Sequence, residues 1–313
     1  MQIGMILGNG WRGDIPTGMA ADAACESMLH RAERAVAVGV TSLWTYDHLE
    51  GVPSSRQAPC FEAWTTLAAT AARIPKVTVG TLVSGILLRE VGLLGKMAVT
   101  VDALSGGRLV VGLGVGWYRD ELRRYGYAAP PFGERMERLE AAIGALESMW
   151  EGEPVHEAGL EGALCLPRPV QRPGPPILLG GGSDRIVRLA AARARGLNTG
   201  GSPTEVGEVF KRARARCEEV GRSASELTFS TEVQVLIDPS EETLARAVAG
   251  AGGDLAEFRE MNLVGNADHA RSRAREYAEQ GVDSLIAFVP DGHQPGTVER
   301  VATVLLEGAA NCA

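Results

Sequence analysis

The chain has 313 residues, 45% of them hydrophobic and 22% charged, with a formal net charge of −8 at pH 7. This suits a globular protein with a sizeable core and, with no block of basic residues, excludes a nucleic-acid surface. Five cysteines (Cys25, Cys60, Cys165, Cys217, Cys312) form no CxxC and no short-range pairing with His, which points to a reduced, intracellular chain without a structural metal. Met1 to Leu7 enters a strand with no basic leader, and no apolar run reaches membrane-spanning length. A cytoplasmic protein with no membrane partner is expected.

Strand and helix patterns alternate along the chain. Ile3 to Leu7 reads as a strand, Ala24 to Val38 as an Ala-rich helix, Thr41 to Tyr46 as a second strand and Phe61 to Arg73 as a helix. Pro75 precedes a β-branched third strand, Val77 to Val83. Apolar residues at spacings of three and four then mark a helix from Val91 to Leu104, before a fourth strand at Leu109 to Leu113. Met136, Leu139, Ile143, Leu146 and Trp150 line one face of a helix over Glu134 to Trp150. Gly152 to Pro176 reads as a long inter-element excursion. A fifth strand, Ile177 to Leu179, stops on three glycines. Helix Arg185 to Arg195, a short strand at Leu197 to Thr199, helix Thr204 to Val220 and strand Leu227 to Ile237 follow, then a weakly specified patch at Ala249 to Gly253. The chain closes with helix Ala267 to Gln280, strand Ser284 to Val289 and helix Thr297 to Leu306.

About eight strand–helix units without a splitting linker predict one domain over 1–313, an α/β fold of the (β/α)8 TIM-barrel type with insertion loops. A doubly wound open sheet is the alternative. In such barrels chemistry sits on the loops after the strands' carboxyl ends.

Those loops carry the candidate residues. Asp47-His48 follows the second strand, where an imidazole can exchange protons near neutral pH; the other reading is a loop pair that caps the next element. Gly112, Gly114 and Gly116 alternate at the end of the fourth strand. They clear one strand face on which something flat can lie, with Trp117 and Tyr118 as a wall. Their spacing is not that of a dinucleotide fingerprint. Gly180-Gly181-Gly182-Ser183 leads from strand to helix and offers backbone N–H groups to a phosphate, or a plain helix cap. Trp11, Trp44 and Trp64 read as core aromatics, with Trp11 the exception because it follows Asn9-Gly10 at a strand exit. His30 and His269 read as surface or capping residues. His156 lies in the excursion and His293 on the last strand's loop. No HExxH, Cys–His spacing or Gly-x-Ser-x-Gly elbow is present, so no metal is expected.

Taken together, the ordered segments resemble the luciferase-like monooxygenase superfamily, and within it the coenzyme F420-dependent oxidoreductases. They are Asp47-His48, Gly80 to Gly85, Leu94 to Met97, Ser105 to Leu109, Gly112 to Tyr118, Pro130 to Arg135, Arg168 to Pro173 and Pro176 to Gly182. The resemblance implies a (β/α)8 barrel, a homodimer, a small-molecule substrate and a flat redox ring in the barrel mouth. Coenzyme F420 is the expected cofactor, with FMN as alternative. It implies that the turn Val83-Ser84-Gly85 buckles under the ring through a cis peptide, and that Gly180 to Ser183 holds the cofactor phosphate. His48 would act on the proton that accompanies hydride transfer, while Asp47, Gly114, Gly116 and Tyr118 would contact the cofactor. Trp11, Trp44 and Trp117 are the expected substrate wall, suiting a hydrophobic substrate. A reduced-FMN monooxygenase using O2 is the alternative activity.

The chain also departs from its relatives. Val115 stands where the sugar-phosphate dehydrogenase branch carries an acid. Arg89-Glu90-Val91 and Arg195-Gly196-Leu197-Asn198 stand where members of the resembled family often carry Arg-His-Pro and Asp-Gly-Trp-Asn.

Overall fold

The computed structural model describes residues 1–52 and 56–310; Cys312 lies outside them. In chain order the elements are β1 (Gln2–Ile6), α1 (Ala21–Ala37), β2 (Ser42–Thr45), α2 (Ala63–Arg73), β3 (Thr78–Thr81), β4 (Ser84–Gly85), α3 (Val91–Ser105) and β5 (Leu109–Gly114). Then come α4 (Arg119–Arg124), α5 (Phe132–Glu151), β6 (Ile177–Gly180), α6 (Asp184–Arg193), β7 (Gly196–Asn198), α7 (Pro203–Glu219) and β8 (Thr228–Ile237). The chain ends with α8 (Glu241–Gly250), α9 (Leu255–Met261), β9 (Leu263–Gly265), α10 (Ala267–Glu279), β10 (Ser284–Phe288) and α11 (Thr297–Ala310).

Eight parallel strands close into a barrel, in the order β10-β1-β2-β3-β5-β6-β7-β8, with β10 pairing on both sides. Gly4 registers with Ile286, and Ile286 with Glu232, so the two ends of the chain meet at one seam. The open doubly wound sheet is thereby excluded. β4 continues the line of β3 after a break and pairs with the end of β5. The Leu82–Val83 peptide at that break is cis, one residue before the turn expected to carry it. Beyond the barrel, β8 runs on to pair with β9.

Helices cover the outside because their apolar stripes match the strands' outer faces. Met136, Leu139, Ile143 and Leu146 of α5 are fully buried. Each such side chain contributes about 1.5–3 kcal/mol by leaving water. Capping fixes where helices begin. Ser202 and Glu205 form a capping box on α7, and Ser183, Ser240 and Asn266 each accept from the third backbone N–H of their helix. The excursion 152–176 is tied down by the buried Asp102 of α3. Its carboxylate accepts from the backbone N–H of Val170 (2.6 Å) and Gln171 (3.1 Å) and from Gln171 Nε2 (2.8 Å).

The barrel interior holds Ile6, Trp44, Leu178, Ile286 and Phe288. Trp44 fills it because Gly80 leaves the space: a Cβ there would lie 2.5 Å from the indole. Trp44 Nε1 donates to Ser42 Oγ (2.9 Å). Trp44 is therefore an interior filler beneath the mouth, and the expectation that it walls the substrate is corrected.

The glycine ladder on β5 is also not the cleared face that its spacing suggests. A Cβ on Gly112 would meet the Thr81 carbonyl oxygen at 1.9 Å, and one on Gly114 would meet Val83 Cγ2 at 2.6 Å. Gly180 faces Val83 in the same way, at 2.8 Å. The missing side chains make room for the protein's own chain at the β3–β4 break, and Val83 occupies the place assigned to a ligand. Only Gly116, with nothing within 4 Å of its Cβ position, opens to the mouth.

Candidate active site

A cavity of about 190 Å³ opens at the carboxyl ends of the strands. One wall is apolar: Leu82, Val83, Gly85, Leu87 and Leu88, from the segment following β3. An aromatic section is formed by Trp11, His48, Trp117 and Tyr118. Its inner end is polar, formed by Arg12, Tyr46 and Glu232.

Loop geometry places the aromatic wall. Asn9 Nδ2 donates to the backbone oxygens of Tyr46 (2.9 Å) and Phe61 (3.0 Å), which joins the loops after β1 and β2. Trp11 then stacks on His48 with ring centroids 4.1 Å apart and planes 7° from parallel. Trp117 stands edge-on to Trp11 (6.4 Å) and stacks with Tyr118 (5.2 Å, 17°). Gly116 adopts φ +70°, open to glycine at little cost, and its carbonyl accepts from Arg135 of α5.

His48 is oriented by Glu121, a buried residue on α4. Nδ1 lies 2.9 Å from Glu121 Oε2, while Glu121 Oε1 accepts from the backbone N–H of Leu49 (2.8 Å) and Glu50 (3.3 Å). A carboxylate with this many donors fixes the ring's plane. When it accepts a hydrogen bond from Nδ1–H, the ring's lone pair lies on Nε2, which can then accept or return a proton. Glu121 was not among the sequence candidates. It lies 73 residues from His48, on a six-residue helix whose periodicity is too brief to read.

Asp47 lines the cavity, yet its carboxylate is fully engaged. Arg89 grips both oxygens (2.6 and 2.9 Å) and also binds Glu62 (2.5 Å). Glu62 in turn caps α2 by accepting from Trp64 N and Thr65 N. The Arg89 charge is sustained: burial opposes it, and Asp47 and Glu62 more than offset that. Cys60 donates to the His48 carbonyl at 3.5 Å, and burial among carboxylates pushes its thiol up to about 12, so it is no nucleophile.

At the inner end, Tyr46 Oη donates to Glu232 Oε1 (2.9 Å) and Arg12 Nη2 lies 3.3 Å from Glu232 Oε2. The Arg12 guanidinium sits 4.8 Å from the Trp11 ring centroid, 5.3 Å from that of Tyr46 and 5.6 Å from that of Phe288. Burial pushes the Tyr46 phenol well above its ordinary range. Arg12, Tyr46 and Glu232 escaped sequence reading because they converge only when β10 closes the barrel between β1 and β8.

Of the remaining candidates, Ser84 is buried behind the wall and accepts from Trp64 Nε1 (2.8 Å). Gly114 lies under Val83. Gly180 to Ser183 do not line this cavity. Ser183 Oγ caps α6 by accepting from Ile186 N (3.4 Å), and Gly181 N donates to the Asn198 carbonyl (2.8 Å). The exposed Arg212 donates to the Gly182 carbonyl (2.8 Å), which sets a cation beside that turn. His293 lies apart from the cavity, half-buried, its Nδ1 without a partner.

The cavity suits a flat ring. Its lining combines the apolar segment around Val83 with the aromatic rings, and no Cβ on Gly85 or Gly116 narrows it.

Comparison with known proteins agrees with this architecture. The chain is 28% identical over 215 residues to an F420-dependent glucose-6-phosphate dehydrogenase from Microbacterium testaceum, a match spanning 66% of this chain and 62% of that relative. It is 28% identical over 195 residues to an FMNH2-dependent dimethylsulfone monooxygenase from Pseudomonas putida, spanning 58% of this chain and 53% of the relative. It superposes on an F420-dependent secondary alcohol dehydrogenase in complex with an F420–acetone adduct, with a TM-score of 0.81 over 98% of this chain and 97% of that one. The sequence identity is 18%, a likeness of fold. The family model for luciferase-like monooxygenases matches residues 1–302, and the chain belongs to that family.

Proposed function

We propose that the protein is an F420-dependent oxidoreductase that moves a hydride between deazaflavin and a small, hydrophobic organic substrate. The observation that carries this reading is the His48–Glu121 pair at the edge of a cavity with one apolar and one aromatic wall. Such a pair serves a reaction in which a hydride and a proton travel separately.

In this reading the Val83 face and Gly85 and Gly116 would hold the ring, and the Gly180 to Ser183 turn, with Arg212 and the α6 N-terminus, would hold the phosphate. Bound F420 supplies hydride chemistry with little reactivity toward O2, and the protein supplies position and electrostatics. His48 Nε2 takes or returns the substrate proton while Glu121 keeps the ring oriented. Trp11, Trp117 and Tyr118 exclude water from the substrate's apolar body. The family resemblance adds a homodimer in the cytoplasm, built from a single barrel domain.

The FMNH2-dependent relative supports a second reading, an FMN-dependent monooxygenase on the same barrel. A titration comparing F420 with FMN, followed by turnover in the absence of oxygen, separates the two. Anaerobic turnover with reduced F420 is the expected result; obligatory O2 consumption with reduced FMN would replace the first reading by the second.

A further inference from the structure

The charges lining the cavity are unequal in number and each is answered from within the protein. Asp47 is held by Arg89, and Glu121 by two backbone amides and His48. Arg12 is the one guanidinium among the described lining residues, and Glu232 lies against it. A carboxylate or phosphate entering this space would find no unanswered cation. It would lie near three carboxylates in a medium that screens poorly.

A neutral oxygen meets the opposite situation. Arg12 carries five N–H donors and engages Glu232 through Nη2, so it has donors left for a carbonyl. Glu232 accepts from Tyr46 through one oxygen and retains lone pairs for a hydroxyl donor. Arg12 and Glu232 therefore receive either member of an alcohol–carbonyl pair, and the aromatic residues receive the body that carries it.

We propose that Glu232 sets the charge this cavity accepts: by neutralising Arg12 it selects an uncharged alcohol or carbonyl compound with an apolar or aromatic body, and rejects carboxylates and phosphate esters. The proposal rests on the cavity being the substrate site of the oxidoreductase reading. It assigns specificity to a residue outside the His48–Glu121 pair. It also separates this chain from any relative that acts on a phosphorylated sugar.

The test compares four probes (1-phenylethanol, acetophenone, benzoate and benzylamine) by ligand-observed NMR and calorimetry. Wild type, Glu232→Gln and Arg12→Met are each measured with and without saturating F420. Wild type should bind the two neutral probes at least about tenfold more tightly than benzoate, a difference of about 1.4 kcal/mol. Glu232→Gln keeps the shape and frees the guanidinium, so its neutral-to-benzoate ratio should fall at least about tenfold. Arg12→Met leaves the Glu232 charge without a cation and should shift preference toward benzylamine; it serves if the first variant does not fold.

Equal binding of benzoate by wild type, failure of the neutral probes to bind, or ratios unmoved in the folded variants would overturn the assignment. F420 titration is read separately. Ratios that shift as stated in a protein without F420 affinity uphold the charge assignment and remove the F420 reading; F420 affinity with unmoved ratios does the reverse.

Discussion

His48 Nδ1 and Glu121 Oε2 lie 2.9 Å apart across 73 residues of sequence, and the same carboxylate holds the backbone of the two residues that follow His48. One side chain thus fixes both the imidazole and the loop on which it is mounted. His48→Ala should lower turnover with F420 by about 100-fold to 10,000-fold, the usual contribution of a positioned acid–base group. Glu121→Gln still accepts from the loop amides but loses the charge, and should lower turnover at least about tenfold with F420 affinity unchanged. Single-turnover kinetics and a cofactor titration check both.

Arg89 is the structural counterpart of that pair. Removing it strands Asp47, whose side chain is wholly buried. Arg89→Ala should cost about 3–5 kcal/mol of stability, and Arg89→Lys should recover only part because a lysine cannot grip both oxygens. Urea unfolding at constant m-value measures each.

The three glycines of β5 and its exit should behave differently from one another. Gly112→Ala drives a methyl into a backbone oxygen and should cost more than about 3 kcal/mol. Gly114→Ala pushes Val83 toward the cavity, so it should weaken F420 binding more than it weakens the fold. Gly116→Ala has space but a left-handed backbone, and should cost about 1–2 kcal/mol. Melting temperatures alongside cofactor titrations distinguish the three.

His293 gives the fold a pH dependence of known sign. Burial, with Arg31 and Arg246 nearby, holds its pKa below the ordinary 6.5, and Asp291 only partly opposes this. The folded state therefore binds fewer protons than the unfolded state just below that value, and stability falls as pH drops through it. The loss is complete once the pH is under the folded-state pKa. His293→Asn should flatten the difference in urea midpoint between about pH 7.5 and about pH 5.5.

Much of the fold is legible in the sequence because barrel strands are short apolar runs and the outer helices carry clear stripes. Expected and observed boundaries agree within a few residues for β1, β2, β5, β6 and β10. Short elements escape: α4 has six residues, and β4 and β9 have two and three, too few for a period. The mouth loops reveal Asp47, His48, Trp11, Trp117 and Tyr118 because local sequence marks strand exits. Glu121, Arg12 and Glu232 are invisible there, since their roles depend on contacts of 73 and 220 residues' separation. Gly80, Gly112 and Gly114 are hard to read for a shared reason. A missing side chain shows that something approaches closely, while the sequence does not say whether that is a ligand, Val83 or an indole.

Because β10 joins β1 on one side and β8 on the other, the last strand made is the one that completes the pocket. A growing chain that has reached β9 already contains every mouth residue, yet Arg12 and Glu232 stand on two edges that nothing holds together. The contact between Arg12 and Glu232 thus depends on a strand that follows both of them in the chain.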